Sequence, residues 1–232
     1  MSRWPRFAAA AFDDTARLIP GSYTELAEHA LSDLSDDEDE LQSLIVLSAV
    51  TNSRLQAQEE QHPGGLGRSD LVFNLPYSKI INGAFAYAGQ GARFHSADGR
   101  GAWYCALDVA TALAEVAYHR IKQLRETGLD TETDIPYRLF TADVHGQDFA
   151  WLDDDTPRTR ACLDPDSYAA GQGLGLLLLD RSAGGVVYPA VRHPGGTNIA
   201  VLQPAIVANV RREALLHVTI EAGRLTHVER TD

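Results

Sequence analysis

The sequence of 232 residues is poor in cysteine, and its two cysteines, Cys105 and Cys162, stand among apolar or helix-forming neighbours. Two isolated thiols build neither the disulfide framework of a small secreted domain nor a cysteine-based metal centre. His95 and His119 do not have the spacing of zinc ligands, so we expect no metal site. This cysteine usage is typical of the reducing cytoplasm, where we expect the chain to act.

The chain also lacks long hydrophobic runs and an excess of positive charge. Its longest apolar stretch, 174–179, is interrupted by Gly175 and ends at Asp180. That is far shorter than a membrane-spanning helix, and residues 1–5 lack the apolar segment of a signal peptide, so we expect no membrane association. The net charge of -12 disfavours direct contact with nucleic acid, because phosphate binding requires clustered Lys and Arg.

Three common catalytic signatures are absent: the P-loop, a G-x-G-x-x-G segment that opens a helix, and the G-x-S-x-G elbow. Their absence argues against P-loop nucleotide hydrolysis, Rossmann-type dinucleotide binding and α/β-hydrolase chemistry. With 44% hydrophobic and 22% charged residues, the chain still has the composition of a globular protein with a sizeable core. Functional residues must therefore be sought in rarer segments.

Residues 1–69 and 70–232 differ in pattern, and we predict a helical N-terminal extension packed on a mixed domain. Ser22 and Glu25 have the spacing of a capping box, and an acidic run at 36–40 precedes a further apolar segment. We expect this helical part to end before His62, where Pro and Gly predict a loop. The two parts are expected to form one compact unit.

From residue 70 onward, short strands alternate with helices. We predict strands at 84–87, 102–105, 137–142, 185–188 and 198–202, and a final hairpin that pairs 214–220 with 225–229. Asp108 predicts the start of a helix that ends near Thr127, and Asp166 or Ser167 predicts the start of another that ends near Asp180. Strands that pair locally, with helices between them, favour a mixed α+β domain over a doubly wound sheet.

Arg93 and Glu115 form the first candidate pair. Arg93 precedes the aromatic strand and Glu115 lies two turns into the following helix, so both side chains can face one cleft. An arginine grips a diphosphate through two parallel charge-assisted bonds, and a carboxylate beside a sugar stabilises an oxocarbenium-like transition state. Alternatively, Glu115, His119 and Lys122 follow helical spacing as a solvated face. The pattern alone favours this second interpretation.

Further candidates flank this pair. Tyr104 can stack on a nicotinamide or adenine ring, although an aromatic residue in a strand more often belongs to the core. Arg17 lies where an early strand can deliver it to the same cleft, or it is an ordinary surface arginine. The segment 185–197 contains paired glycines, which permit close approach of the backbone to a ligand. Within it, Arg192 can contact a phosphate or tie the turn to a carboxylate.

Together these segments resemble the RES domain family, the toxin component of type II toxin–antitoxin pairs, which is named for an arginine, a glutamate and a serine. Residues 91–94 resemble its arginine segment, 101–104 its tyrosine strand and 111–120 its glutamate helix. Residues 164–168 and 185–197 resemble its C-terminal motifs. Several motifs in one order make this resemblance far more specific than any motif alone.

The resemblance implies an ADP-ribosyltransferase-like split mixed sheet with flanking helices and activity on NAD as the substrate, without a metal. Members of the family cleave the nicotinamide–ribose bond and pass the ADP-ribosyl group to water, phosphate or a protein. The resemblance assigns Arg93 and Arg17 to the diphosphate, Tyr104 to stacking and Glu115 to the ribosyl cation. The implied partner is an antitoxin with a helix-turn-helix, Xre-like DNA-binding part, and a homodimer is a further expectation.

One departure from the family pattern concerns residue 190. Ala190 stands where the family has a serine before Val-Arg. A serine hydroxyl there can bond the ribose or order the phosphate site, and its loss costs about 1.5–3 kcal/mol when the ligand is charged. Three functions therefore stay open: a toxin that depletes NAD by hydrolysis or phosphorolysis, a protein ADP-ribosyltransferase, and a catalytically weakened module that binds NAD or antitoxin.

Overall fold

The computed structural model describes residues 4–21 and 66–232 of the chain. Its seven strands are β1 (Arg6–Pro20), β2 (Trp103–Ala106), β3 (Glu132–Trp151), β4 (Gly185–Pro189), β5 (Thr197–Val201), β6 (Val207–Glu221) and β7 (Arg224–Thr231). The α-helices in these ranges are α1 (Ser78–Ala86), α2 (Val109–Glu126), α3 (Pro157–Cys162) and α4 (Ala169–Asp180). Short 3-10 helices lie at Arg68–Asp70 and Pro204–Ile206. This mixture of strands and helices confirms the predicted α+β class.

The strands form one mixed sheet in the order β1-β2-β5-β4-β3-β6-β7, and β1 also pairs with β3. β3 and β4 run parallel, whereas the other paired strands among the described residues run antiparallel. The extra pairing closes β1, β2, β5, β4 and β3 into a ring. β3 is long enough to pair with two further strands besides β1. Its residues 149–151 pair with β4, which belongs to the ring, and its residues 132–144 pair with β6, which lies outside the ring.

The helical prediction for the N-terminal part is wrong for residues 6–20, which form β1. This segment is rich in alanine, a strong helix former, yet it pairs antiparallel with β3 along its length. Pairing with a distant strand therefore overrides local propensity. The capping box at Ser22 and the helix end before His62 lie outside the described residues, and the division of the chain at residue 69 stays a prediction.

One further strand prediction, at 84–87, is also wrong. Residues 84–86 lie in α1, and Tyr87 is its C-cap. Ile81 and Phe85, four residues apart, are 1% and 0% exposed and mark the buried face of this helix. An apolar run of four residues does not by itself distinguish a strand from a buried helical turn.

The remaining predicted strands, the final hairpin and α2 are confirmed. The carboxylate of Asp108 accepts a hydrogen bond from the Thr111 backbone N–H at 2.7 Å, which caps α2. Gly128 follows the helix with φ of 76°, a left-handed conformation that favours glycine. Helix α3 has no counterpart among the sequence-based predictions.

The predicted helix that ends at Asp180 is α4, but its N-cap is Tyr168 and not Asp166 or Ser167. The carboxylate of Asp164 accepts hydrogen bonds from the backbone N–H groups of both residues, at 2.8 and 2.9 Å. This turn satisfies the two N–H groups before the helix begins. The helix therefore starts later than expected from Asp166 and Ser167.

Helix α4 packs closely on the segment that carries Arg93. A Cβ atom at Gly171 would lie 2.3 Å from the Arg93 carbonyl oxygen, and one at Gly175 would lie 1.9 Å from that of Phe94. The Gln172 side chain donates to two carbonyl oxygens of the same segment, at 3.1 and 3.3 Å. Only glycine at these two helical positions permits such an approach, so α4 sets the backbone position of Arg93.

We predict opposite effects for two alanine substitutions in α4. Gly175→Ala forces a methyl group against the Phe94 carbonyl, so we expect a loss of about 1–3 kcal/mol in the free energy of unfolding. Gly173→Ala adds a methyl group that no described residue outside the adjoining backbone of α4 approaches within 4 Å, so we expect a gain of roughly 0.5–1 kcal/mol. Denaturant unfolding measures both values, and effects of the same sign would contradict the packing of α4.

Candidate functional site

A cleft of about 270 Å³ lies between β1, β2 and the N-terminal half of α2. Four residues predicted from the sequence line it: Arg17, Arg93, Tyr104 and Glu115. The other polar or aromatic side chains in its wall are His119, Tyr168, Tyr188 and Asn198. The sheet and α2 therefore bring together residues that are far apart along the chain.

Arg17 reaches the cleft from β1. Its Nη1 donates to the Tyr104 carbonyl oxygen at 2.9 Å, and its guanidinium lies over the Trp103 ring, 4.6 Å from the centroid. Its buried Nε has no hydrogen-bond partner among the described residues. Burial lowers the pKa of Arg17 to about 10, so the group is still charged at neutral pH. The interpretation of Arg17 as an ordinary surface residue is therefore wrong.

Arg93 is the second cation of the cleft and is 7% exposed. Its Nη1 donates to the carbonyl oxygens of Cys162, at 3.1 Å, and Asp164, at 2.7 Å. Its guanidinium lies 4.8 Å from the ring centroid of Tyr168. Among the described residues, no carboxylate forms an ion pair with Arg93 or Arg17. The two positive charges are thus available to an anionic ligand.

Glu115 faces these cations from α2. Its Oε1 accepts a hydrogen bond of 2.7 Å from the side-chain amide of Asn198, which is 4% exposed. Glu115 and His119 line the cleft, whereas Lys122, one turn further along the helix, is exposed. The interpretation of all three as a solvated face is therefore wrong for Glu115, whose carboxylate is held in one orientation.

Tyr104 lines the cleft and also fixes the segment beside Arg93. Its hydroxyl oxygen lies 3.0 Å from the Phe94 backbone N–H, which donates to it, and 3.1 Å from His95 Nδ1. His95 Nε2 lies 3.1 Å from the Ala88 carbonyl oxygen, which only accepts. His95 Nε2–H therefore donates to Ala88, and the Tyr104 hydroxyl donates to Nδ1. Burial raises the pKa of this hydroxyl, so it stays protonated as a donor.

Two residues predicted for NAD binding lie outside the wall of the cleft. Arg192 donates to the Pro165 carbonyl oxygen, and its guanidinium lies 3.4 Å from the ring centroid of Tyr118. Ala190 is 8% exposed, and its backbone N–H donates to the Gly196 carbonyl oxygen at 2.9 Å. Arg192 thus ties the turn to neighbouring segments, although through a carbonyl oxygen and a ring and not through a carboxylate.

The sequence model of the RES domain matches residues 71–221, which is more than half of the chain. The chain belongs to the RES domain family. This confirms the resemblance drawn from its motifs. A comparison with curated proteins finds no match.

The RES domain described here is also similar in structure to the crystal structure of the M. tuberculosis MbcT–MbcA toxin–antitoxin complex. The TM-score is 0.45 at 14% sequence identity, over 90% of this chain and 86% of that chain.

Sequence reasoning gave no role to three residues in the cleft of this RES domain: Asn198, Tyr168 and Tyr188. Asn198 had a signal, because it is an amide that directly precedes the apolar residues 199–201 of strand β5. Tyr168 had no comparable signal, since its contact with Arg93 depends on α4. Tyr188 meets Phe94 edge-on at 4.9 Å between centroids, and it reaches the cleft through the pairing of β4 with β5.

Residues 4–21 and 66–232 contain neither a metal-binding cluster nor a membrane-spanning helix. No group of three or more His, Cys, Asp or Glu side chains in these ranges has the arrangement of a metal site. No helix described in the RES domain has both the length and the apolar character needed to cross a membrane.

The buried His95 predicts a pH dependence of stability. Burial lowers the pKa of His95 below its ordinary value of 6.5, so the unfolded state binds more protons than the folded state just below that pH. Stability is therefore lost as the pH falls from about 6.5 towards the folded pKa. We expect His95→Gln to flatten the decrease in the free energy of unfolding between about pH 8 and pH 5.

The matched control for this prediction is His227→Gln, which changes an exposed histidine of β7. Chemical denaturation at a series of pH values measures the curves. The His227→Gln curve should follow that of the unaltered protein. A His95→Gln curve as steep as the control would contradict the assignment of a neutral, buried imidazole.

Proposed function

We propose that this chain is the toxin of a toxin–antitoxin pair and depletes NAD by cleaving its nicotinamide–ribose bond. One observation carries the proposal: one oriented glutamate and two arginines, for which the described residues offer no carboxylate partner, line the same cleft. Membership of the RES domain family supports this assignment. The reaction is that of an NAD glycohydrolase when water is the acceptor, or of a phosphorylase when phosphate is.

The arginines suit the diphosphate of a dinucleotide. A diphosphate bridge carries two negative charges, and guanidinium groups match phosphate oxygens with paired N–H donors. In this chain carbonyl oxygens and aromatic faces hold Arg17 and Arg93 in place without neutralising them. The Nε of Arg17, for which the described residues provide no acceptor, is a further donor for a phosphate oxygen. An anion between the two groups would offset the cost of burying them.

Glu115 is assigned to the sugar. When the bond between C1′ and the nicotinamide nitrogen breaks, its electron pair goes to the nitrogen, and positive charge develops on the ribose. A carboxylate beside C1′ stabilises that charge. The bond from Asn198 engages Oε1 and so holds the group in place before the reaction. The acceptor then attacks C1′ and loses its proton.

The remaining wall suits an aromatic ring. Tyr104 and Tyr188 line the cleft together with Leu18 and Val116, which gives an apolar surface beside the charged groups. A volume of about 270 Å³ lies just below the range of roughly 300–1,000 Å³ of pockets that enclose whole ligands. We therefore assign the nicotinamide, its ribose and the diphosphate of NAD to the cleft, and not the whole dinucleotide.

Ala190 bears on the alternative of a weakened binding module. That alternative followed from the missing serine hydroxyl, yet Ala190 does not line the cleft. The enzymatic function is accordingly the better supported one.

The antitoxin, which we expect to carry a helix-turn-helix, would supply any contact with DNA, in keeping with the net charge of -12 of this chain.

The first test of the function is nicotinamide release from NAD by the purified chain and by Glu115→Gln. We expect Glu115→Gln to lower kcat by about 10²–10³-fold, because it removes the charge that stabilises the ribosyl cation. Chromatographic detection of nicotinamide measures turnover. The matched control is Glu126→Gln, which makes the same change at an exposed position of α2 and should leave kcat unchanged.

The same assay distinguishes the acceptors. Release that requires added phosphate indicates phosphorolysis, and release in its absence indicates hydrolysis. Modification of a protein by ADP-ribose, detected by mass spectrometry without bulk loss of NAD, would replace the proposal with protein ADP-ribosylation. A Glu115→Gln variant as active as the unaltered chain would show that the proposed mechanism is wrong.

The second test concerns Arg17. Removing a charged donor to phosphate should weaken NAD binding by about ten- to a hundred-fold, corresponding to roughly 1.5–3 kcal/mol. Arg17→Met keeps most of the side-chain volume and removes a partly desolvated charge, so we expect a Tm at least as high as before. Calorimetry in the Glu115→Gln background measures binding without turnover.

Arg224→Met is the control for Arg17→Met, because Arg224 is exposed on β7. It should leave NAD binding unchanged. Unaltered affinity in Arg17→Met would remove Arg17 from the proposed phosphate site. A large loss of stability in that variant would instead indicate that Arg17 serves the fold.

A further inference from the structure

We infer that Thr111 is a positioning residue for Glu115 and acts through the β4–β5 loop (residues 190–196). The inference rests on the proposed function, because that function requires a defined orientation of the Glu115 carboxylate. Thr111 is 0% exposed and lies one helical turn before Glu115 on α2. A buried hydroxyl at this place needs partners, and its partners lead to the loop.

The Thr111 hydroxyl joins two charged or polar side chains. Its Oγ1 lies 2.7 Å from Asp108 Oδ2 and 2.9 Å from His193 Nδ1. Hydrogen bonds from the Thr111 backbone N–H and hydroxyl lower the pKa of Asp108, so at neutral pH its carboxylate only accepts. The hydroxyl proton therefore goes to Asp108, and His193 Nδ1–H donates to Thr111 Oγ1. The three groups form a directed chain of hydrogen bonds.

These hydrogen bonds between Asp108, Thr111 and His193 hold the β4–β5 loop against α2. A Cβ atom at Gly196 would lie 2.3 Å from Thr111 Oγ1, so only glycine permits the observed approach. Inside the loop, the Gly196 N–H donates to the His193 carbonyl oxygen at 3.0 Å, and the Ala190 N–H donates to the Gly196 carbonyl oxygen at 2.9 Å. The anchor at His193 therefore fixes the loop that leads directly into β5.

Asn198 links the β4–β5 loop to the carboxylate of Glu115. It is the second residue of β5, and its amide donates to Glu115 Oε1 at 2.7 Å. Helix α2 thus contacts the β4–β5 segment at two points one turn apart, through Thr111 with His193 and through Glu115 with Asn198. If the first contact is lost, the loop moves and the amide no longer meets the carboxylate in the same geometry.

A purely local role for Thr111 can be separated from this one. Asp108 is the N-cap of α2, and its Oδ1 accepts a hydrogen bond of 2.7 Å from the Thr111 backbone N–H. That bond does not need the hydroxyl. Thr111→Val keeps the side-chain shape and the cap while it removes both hydroxyl bonds, and Thr111→Ser keeps all of them.

The kinetic test compares nicotinamide release by these two variants of the full chain. We expect Thr111→Val to lower kcat about ten- to a hundred-fold with KM nearly unchanged, as misplacement of a catalytic group predicts. Thr111→Ser should restore kcat. The matched control is Thr127→Val at the other end of α2, where the hydroxyl bonds to carbonyl oxygens of the helix alone. It should change neither constant.

A second readout does not depend on turnover. The side-chain amide resonances of Asn198 in a ¹H–¹⁵N spectrum report its bond to Glu115, and Asn198→Asp assigns them. We expect both Thr111→Val and Glu115→Gln to shift these resonances, and Thr127→Val to leave them in place.

The two readouts separate the failure of this inference from that of the proposed function. Unchanged kcat in Thr111→Val, in an enzyme that Glu115→Gln inactivates, overturns the inference alone. If the unaltered chain releases no nicotinamide, the proposed function fails. The ¹H–¹⁵N spectrum then tests the positioning role of Thr111 by itself. Asn198 resonances that respond to Glu115→Gln but not to Thr111→Val would then overturn the positioning role, and a response to both would support it.

Discussion

The pairing of β1 with β3 is the constraint on which the rest of the structure depends. It closes a ring of five strands and places Ala16 beside β3 on one side and beside Ala106 of β2 on the other. Arg17, the next residue, then lies against Trp103 and Tyr104. One pairing therefore builds the sheet and also delivers a cation to the cleft.

The cleft contains two cations that no carboxylate of residues 4–21 and 66–232 neutralises. Arg17 and Arg93 are held by carbonyl oxygens and aromatic faces, which stabilise a guanidinium without cancelling its charge. Burial lowers the pKa of Arg17, which is the sign of a desolvation cost. A site of this kind favours an anionic ligand, because the ligand supplies a counter-charge that the described part of the chain does not.

Local signals predicted the elements that depend on neighbouring residues. Asp108 and Gly128 delimit α2 because capping involves groups within one turn of the helix end. The predictions failed at 6–20 and 84–87, where packing decides the conformation. The first segment becomes a strand because β3 offers a partner along its length, and the second is helical because it completes a buried face of α1.

By itself, the sequence determined the family, the α+β class and the candidates Arg93 and Glu115, because motifs record residue types at fixed spacing along the chain. Only the tertiary structure decided that Arg17 enters the cleft, that Asn198 orients Glu115, and that Arg192 and Ala190 lie outside it. The physical reason is that the distances between these side chains are set by strand pairing, by the close packing of α2 on the β4–β5 loop, and by that of α4 on the segment of Arg93. Such distances depend on contacts between residues far apart in sequence, which local patterns do not encode.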